Sequence, residues 1–354
     1  MTILYGFHQL ETIFDERLTD ENIPEVNDAI VQATEEHNSQ LDALLGLFAR
    51  RTTDYKLRYK TTSNARLQPL DENGRARPIA PSGFYDVAFP LQGGGIAWGA
   101  NRVTRIKMTV EEVARNTNTM LVADRRWMRD HVLAALFANA SWSFNDKEHG
   151  GLTIKGLANG DTDTYQILAG ADAAATDNHY LFQNAIISDA NDPFGTIHDE
   201  LTEHPENGGE VVSLIPTNVK EAVEGLTAFN EVADPNITRG NASDILTGDL
   251  GIALPGDIIG YHDSRVWLVE WRSMPDNFVI SLTTEGEPPL ALREHEEAEL
   301  QGFQFVGERN DHPYSERHWE RHAGFGAWNR VGAVVMEIND TEYAVPTNYG
   351  SPMP

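Results

Sequence analysis

The chain has 354 residues, of which 54 are acidic and 27 are basic, so its net charge at pH 7 is −27. This excess of carboxylates excludes a general phosphate-neutralising surface for nucleic acid. The absence of cysteine excludes disulfides and thiolate metal sites. No signal peptide is expected at the N-terminus, and no segment has the about 18 uninterrupted apolar residues of a transmembrane helix, so no membrane partner is expected.

The basic residues are unevenly divided, because only six of the 27 are lysine. Dense carboxylates with little lysine are typical of proteins from a high-salt cytoplasm. A GC-rich genome produces the same preference for arginine without any role for salt. Both explanations stay open at this point.

The N-terminal 50 residues divide into an arm and a helix. Residues 1–24 show no periodicity and indicate an extended arm. A helix is predicted from Pro24, since proline suits the first helical position and Val26, Ile30 and Leu41 fall on one stripe. This helix either packs on its own core or docks onto a neighbouring subunit.

Residues 53–100 predict a long β excursion. Apolar and basic residues alternate over 55–60, the chain turns at Asp71, Glu72, Asn73 and Gly74, and it returns through 84–89. Few apolar residues lie near the turn, so the hairpin tip is expected to rest on another subunit. The four turn residues are therefore candidate inter-subunit contacts. The glycine run at 93–95 is predicted to be a flexible hinge.

The longest helix is predicted from Thr109 to Asn139. Thr109 and Glu112 form a capping-box pattern at its start. At 1.5 Å per residue the helix would be about 45 Å long. The cluster Asp124-Arg125-Arg126 is predicted to lie on its solvated or inter-subunit side, which makes Arg125 and Arg126 candidate contacts.

The remaining segments predict short strands and two short helices. Strands and turns are expected over 141–190, and an acidic surface segment is expected at 284–301. The helices are predicted at 194–206 and at 218–229, the second with a capping box of Asn218 and Glu221. A buried strand is predicted at 210–216, and further strands are predicted at 257–261, 266–271, 278–282 and 331–338.

Two segments carry a resemblance to a known family. Residues 321–336, RHAGFGAWNRVGAVVM, place an arginine-rich and glycine-containing stretch before an apolar run. Residues 257–261, DIIGY, are followed by the apolar run 266–269 and by Met274-Pro275. With the order of elements along the chain, these segments resemble the tailed-phage (Hong Kong 97-type) major capsid fold, an α+β fold.

The resemblance implies a domain organisation. The N-terminal arm and helix would be 1–50, the extended loop 51–107, the peripheral domain with the spine helix 108–190 and 320–354, and the axial α/β domain 191–319. Bacterial encapsulins share this fold, so a compartment shell protein is the alternative within it.

The resemblance also implies a function and partners. The chain would assemble with itself into hexamers and pentamers of an icosahedral shell around viral double-stranded DNA, which it would contact without sequence specificity. Portal, scaffolding and possible decoration proteins would be further partners. The protein would lie in the virion capsid, and in the host cytoplasm during assembly. A halophilic virus is one hypothesis for its source.

The histidines offer a rival hypothesis from another class. They form three groups, at 198 with 204, at 295, and at 312 with 318 and 322. On a helix, His318 and His322 would share one face and bind a metal, as in a metal-dependent hydrolase that also uses His312. Trp319 stands where a zinc protease carries glutamate. A polar loop beside the last strand is therefore favoured, and no catalytic residue, metal site or cofactor is predicted.

Overall fold

The computed structural model describes residues 23–60, 67, 69–76, 84–168, 174–231, 254–311 and 314–349. The predicted arm at 1–24 lies almost entirely outside these residues. Among the described residues, the helices are α1 (Ile23–Leu45), α2 (Arg102–Lys107), α3 (Val110–Phe137), α4 (Phe194–Thr202) and α5 (Thr217–Glu224), with short 3₁₀ turns at Ala298–Leu300 and Thr347–Tyr349. None of these helices combines the length and apolar composition that crossing a membrane requires.

The strands before α4 are mostly short. They are β1 (Ala49–Thr52), β2 (Lys56–Lys60), β3 (Phe84–Ala88), β4 (Gln92–Asn101), β5 (Trp142–Asp146), β6 (Gly150–Ile154), β7 (Tyr165–Gln166), β8 (Ala174–Ala175) and β9 (Tyr180–Gln183). Those after α4 are β10 (Asn207–Ile215), β11 (Phe229–Glu231), β12 (Asp257–His262), β13 (Val266–Glu270), β14 (Phe278–Gly286), β15 (Leu290–Glu294), β16 (Phe303–Asp311), β17 (Tyr314–Ala327) and β18 (Ala333–Ile338).

The long helix α3 is confirmed, and its 28 residues span about 42 Å. The predicted capping box is present: the Glu112 amide donates to Thr109 Oγ1 at 3.3 Å, and the Thr109 amide donates to a Glu112 carboxylate oxygen at 3.1 Å. These two bonds satisfy backbone donors that have no partner within the helix. The start of α3 therefore follows from local sequence alone.

A seven-stranded sheet in the order β11-β12-β13-β10-β14-β18-β9 is buried on both faces. On β10, Val212 and Leu214 face the core that contains α3, whereas Val211 and Ile215 face the core that contains α4 and α5. The faces alternate because successive strand residues point to opposite sides. Burial on both sides explains why the predicted strands at 210–216, 266–271 and 278–282 are nearly continuous apolar runs.

A second sheet has the order β1-β15-β17-β16, with β4 also paired to β17. The 14-residue strand β17 runs antiparallel to β16 on one edge, and to β4 and then β15 on the other. This corrects the predicted polar loop at 312–322, because described residues 314–322 lie within β17. It also corrects the acidic segment: part of 284–301 forms β15, whose five residues are all buried.

The glycine run at 93–95 is not a hinge, because it lies inside β4 and pairs with 320–322. A Cβ at Gly94 would stand 3.2 Å from the Trp127 indole, and one at Gly93 would stand 3.0 Å from the His322 ring. The glycines let the α3 side chain Trp127 and the β17 side chain His322 approach the strand closely.

The second short helix differs from its prediction at both ends. It begins at Thr217 and ends at Glu224, and no side chain caps its N-terminus. The predicted cap residue Asn218 instead donates from its amide to Asn277 Oδ1 at 2.8 Å. Residues 225–229 leave the helix and enter β11, which pairs with β12. A long-range contact therefore replaces the predicted capping box.

The two sheets do not divide at the predicted domain limits 190/191 and 319/320. The strands β9 and β18 come from the predicted peripheral domain, but they join the sheet of the predicted axial strands. The strands β15 and β16 lie within 191–319, yet they belong to the other sheet. Pairing between strands distant in sequence decides this grouping.

Candidate assembly surfaces

The base of the predicted hairpin is fixed to its own subunit. Strands β2 and β3 pair in register, with Tyr59 opposite Tyr85. Their rings stack at 5.1 Å between centroids, and the Trp328 ring lies edge-on to Tyr59 at 4.9 Å. The Tyr85 hydroxyl donates to the Trp328 carbonyl at 3.0 Å, and burial raises the pKa of Tyr85 well above its ordinary value.

The tip of the hairpin is an ordered turn at the predicted position. Asp71 Oδ1 accepts from the Asn73 amide at 2.9 Å and from the Arg75 amide at 2.8 Å. Gly74 has a φ of +72°, which glycine adopts without strain. Asp71, Asn73 and Gly74 therefore shape the turn, and with Glu72 they are exposed. Their contact with a neighbouring subunit stays a prediction.

Apolar side chains near the tip are not covered by their own subunit. Leu67 is fully exposed and Leu70 is 63 % exposed. Phe84, at the start of β3, is also more than half exposed and lies under the Arg58 guanidinium. Exposed large apolar side chains in one segment of the chain are of the kind that contact with another chain would bury.

The α3 cluster at 124–126 is divided between the core and the surface. Asp124 is buried, so its predicted solvated position is wrong. Its carboxylate accepts from Arg321 Nε at 2.7 Å and Nη2 at 2.9 Å, and it lies 2.8 Å from His37 Nε2. This network joins α1, α3 and β17. A buried carboxylate needs such partners because desolvation is costly.

Arg125 and Arg126 are exposed on α3, as predicted. They line an open groove between α1 and α3, together with Leu41, Leu44 and Trp271. The groove is mainly apolar and carries arginines along one side. Such a surface suits a partner segment with apolar and acidic side chains. Their role as inter-subunit contacts stays a prediction.

Among the described residues, His318 and His322 of the alternative hydrolase hypothesis do not share one site. His318 and His322 lie four residues apart on the extended strand β17, so their α-carbons are about 13 Å apart. The His318 ring lies 3.3 Å from Glu316, and the His322 ring faces His295 at 6.2 Å between centroids. His312 lies outside the described residues. The helical arrangement that the rival metal hypothesis requires for His318 and His322 is therefore absent, because both lie on a strand.

A different cluster of metal-ligand type is buried beside α4. His179 and His204 are fully buried, and their Nε2 atoms lie 3.2 Å apart. Asp177 Oδ2 lies 2.8 Å from His204 Nε2 and 3.3 Å from His179 Nε2. No sequence pattern predicted this cluster, although the Asp-x-His spacing at 177–179 is a weak signal for it.

Two further carboxylates lie beside this cluster. Glu200 and Glu203 approach Asp177 closely enough to share an ion with it. Burial and the neighbouring negative charges of Asp177 and Glu203 raise the pKa of Glu200 to about 7. Burial disfavours a charged His204, but Asp177 outweighs it and raises the pKa of His204 above its ordinary value.

The fold is similar to that of chains in several phage structures. A chain from Mycobacterium phage Patience matches with a TM-score of 0.68 and 19 % identity, over 96 % of this chain and 95 % of that one. The capsid structure of Cyanophage P-SCSP1u gives 0.51 and 9 %, over 83 % and 87 %. The bacteriophage PhiM1 mature capsid gives 0.50 and 10 %, over 83 % and 86 %. No protein family and no curated protein sequence matches the chain.

These likenesses confirm the predicted fold class, the α+β Hong Kong 97-type fold of tailed-phage capsid proteins. The match to the Patience chain extends over nearly the whole of both chains. The hairpin, the long helix α3 and the two sheets are therefore parts of one known architecture. Because the sequence identities are below 20 %, these comparisons show similarity of fold alone.

Proposed function

We propose that the chain is the major capsid protein of a tailed double-stranded DNA virus. The observation that carries the proposal is the end-to-end likeness to a chain of Mycobacterium phage Patience. Two further similar chains come from structures described as phage capsids. Fold alone does not define function, so the proposal also needs surfaces suited to assembly.

The exposed hairpin tip supports assembly. Leu67 and Leu70 are exposed near the turn of the hairpin, and Tyr59 and Tyr85 stack at its base. A rigid base with an apolar tip is suited to lie across a neighbouring subunit. The groove beside Arg125 is a second apolar surface, formed by residues outside the hairpin. Many weak contacts of this kind, repeated by symmetry, stabilise a closed shell.

The proposed partners follow from assembly of the chain into a shell. Copies of this chain would form hexamers and pentamers, and portal, scaffolding and decoration proteins would join them. Packaged DNA would face the inner surface without sequence-specific contacts, since the net charge of −27 opposes phosphate binding. The protein would reside in the virion, and in the host cytoplasm during assembly. Its role would be structural rather than catalytic.

Assembly of the purified full-length chain tests the proposal. Gel filtration and electron microscopy should reveal capsomers or closed particles, in molar salt and with scaffolding protein supplied. The double variant Arg125→Glu, Arg126→Glu should reduce the assembled fraction and leave the unfolding midpoint of the subunit unchanged. A chain that stays monomeric under all these conditions contradicts the proposal.

The matched control for the arginine variant is Arg115→Glu. Arg115 is also exposed on α3, but it lies near the helix start and pairs with Glu111 at 2.9 Å, away from the groove. It changes charge by the same amount as each groove substitution. An equal loss of assembly in this control would assign the effect to net charge and remove Arg125 and Arg126 from the contact surface.

A further inference from the structure

Asp177, His179 and His204 bring three potential ligand atoms to one buried point. Backbone carbonyls determine the tautomer of both rings. His179 Nδ1 lies 2.7 Å from the Ala333 carbonyl oxygen, and His204 Nδ1 lies 2.9 Å from the Gln166 carbonyl oxygen. A carbonyl oxygen only accepts hydrogen bonds, so each Nδ1 carries the proton. When the rings are neutral, each Nε2 atom therefore carries a lone pair that can accept a proton or bind a metal ion.

These lone pairs converge where a cation is needed. The two Nε2 atoms face each other at 3.2 Å, and Asp177 Oδ2 faces both of them. Three acceptors at this distance repel one another unless a proton or a metal ion lies between them. Both histidine side chains are fully buried, so bulk water does not screen this repulsion.

The spacing fits tetrahedral coordination. Zinc binds imidazole nitrogen and carboxylate oxygen at about 2.0–2.1 Å, which places neighbouring ligand atoms of a tetrahedron about 3.3 Å apart. The three observed distances are 3.2, 3.3 and 2.8 Å. Two of them match the tetrahedral edge, and the third needs a shift of about half an ångström. The ligand atoms are thus arranged for one small ion.

We propose that Asp177, His179 and His204 form a zinc-type metal site in this subunit. Two neutral imidazoles and one carboxylate suit zinc, whereas magnesium and calcium prefer oxygen ligands. The backbone hydrogen bonds of both Nδ1 atoms are the outer contacts that orient metal-binding histidines. A water molecule or Glu203, whose carboxylate lies 3.8 Å from His204 Nε2, would complete the coordination.

The site would join two segments of the chain, and hydrogen bonds connect these to further segments. Asp177 and His179 precede β9, and His204 follows α4. The backbone of 158–160 bonds to that of 177 and 179, and the Leu168 amide bonds to the Glu203 carbonyl. The Ala333 carbonyl brings in the start of β18. An ion bound here would stabilise the edge of the seven-stranded sheet, because binding to the folded state alone adds to stability.

Metal binding by the full-length chain without a histidine tag tests the proposal. The metal-free protein is dialysed against Zn²⁺ or Co²⁺ with millimolar Mg²⁺ present to suppress binding by surface carboxylates. We expect one equivalent of zinc per chain, an intense visible absorption of tetrahedral Co²⁺, and a thermal unfolding midpoint that rises with zinc. Asp177→Asn and His204→Gln should each weaken zinc binding by at least about 100-fold.

His198→Gln is the matched control, because His198 lies on α4 in the same part of the chain and its ring lies 3.4 Å from Asp199 rather than in the cluster. It should retain full zinc binding. Circular dichroism of the metal-free variants checks that they are folded, and the wild-type cobalt spectrum tests the site without any variant. No zinc on the wild-type chain would mean that a proton occupies the cluster, and the proposal would fail. Zinc binding that survives Asp177→Asn and His204→Gln would also overturn it.

Discussion

The closing segment 321–338 and the hairpin tip 67–76 differ in what their side chains contact. Arg330 is fully buried in the closing segment, where Nε donates to the Gly156 carbonyl at 2.7 Å and Nη2 to the Leu157 carbonyl at 2.9 Å. Its Nη1 pairs with Asp161 and Asp163. At the tip, Leu67 is in contact with solvent. The closing segment thus stabilises the subunit itself, whereas Leu67 and Leu70 at the tip gain little from their own subunit.

Replacing Arg330 should produce the largest loss of subunit stability. Arg330→Ala leaves the Gly156 and Leu157 carbonyls without their buried donor, and it leaves Asp163 paired with Lys155 alone. Breaking a buried ion pair by removal of one side costs about 3–5 kcal/mol in free energy of unfolding. Urea unfolding of the unassembled subunit measures the change. The exposed control Arg115→Ala should cost about 0.5 kcal/mol or less.

Gly94→Val should have the next largest effect. The added side chain would press on the Trp127 indole, which a Cβ alone would approach to 3.2 Å, so we expect a loss of about 1–3 kcal/mol. The control Gly151→Val lies on β6 with no atom within 4 Å of the new Cβ, and it should be nearly neutral. Equal tolerance of both substitutions would restore the hinge interpretation of 93–95.

Changes at the hairpin tip should affect assembly but not folding. The double variant Leu67→Ser, Leu70→Ser removes exposed apolar surface, so the free energy of unfolding should change by less than about 0.5 kcal/mol. The assembled fraction, measured by sedimentation, should fall several-fold. The control Ile186→Ser removes a side chain about as exposed as Leu70 but outside the hairpin, and it should assemble normally. Normal assembly of the tip variant would show that the tip meets no neighbour.

A change of salt concentration should have the smallest effect per subunit on shell stability. The effect adds up over all the copies in a shell. Each subunit carries a net charge of −27. The Debye length grows from about 3 Å at 1 M to about 30 Å at 0.01 M, so carboxylates of adjacent subunits repel each other after dilution. DNA release from particles diluted from molar salt into millimolar buffer should therefore increase. Particles that are indifferent to dilution would exclude the hypothesis of a halophilic virus and leave the capsid proposal intact.

Local sequence determined the elements whose signals lie within a few residues. The capping box at Thr109 and the apolar period of α3 predicted the long helix to within two residues of its observed ends. The apolar run of β18 and the turn at Asp71–Gly74 were predicted for the same reason, since each depends on neighbouring residues. The order of these elements was sufficient to predict the fold class.

Tertiary structure alone decided what depends on partners distant in sequence. Residues 93–95 are glycines, so no side-chain pattern predicts a strand there. Their place in β4 is explained by the pairing with 320–322 and by the close approach of Trp127 and His322. The sequence of β17 is too polar to show the apolar pattern of a buried strand. Only packing against other elements buries Trp319, Arg321 and their neighbours. Asp177 and His204 meet only because pairing of β9 with β18 and packing of α4 bring their segments together, and no local pattern encodes that convergence.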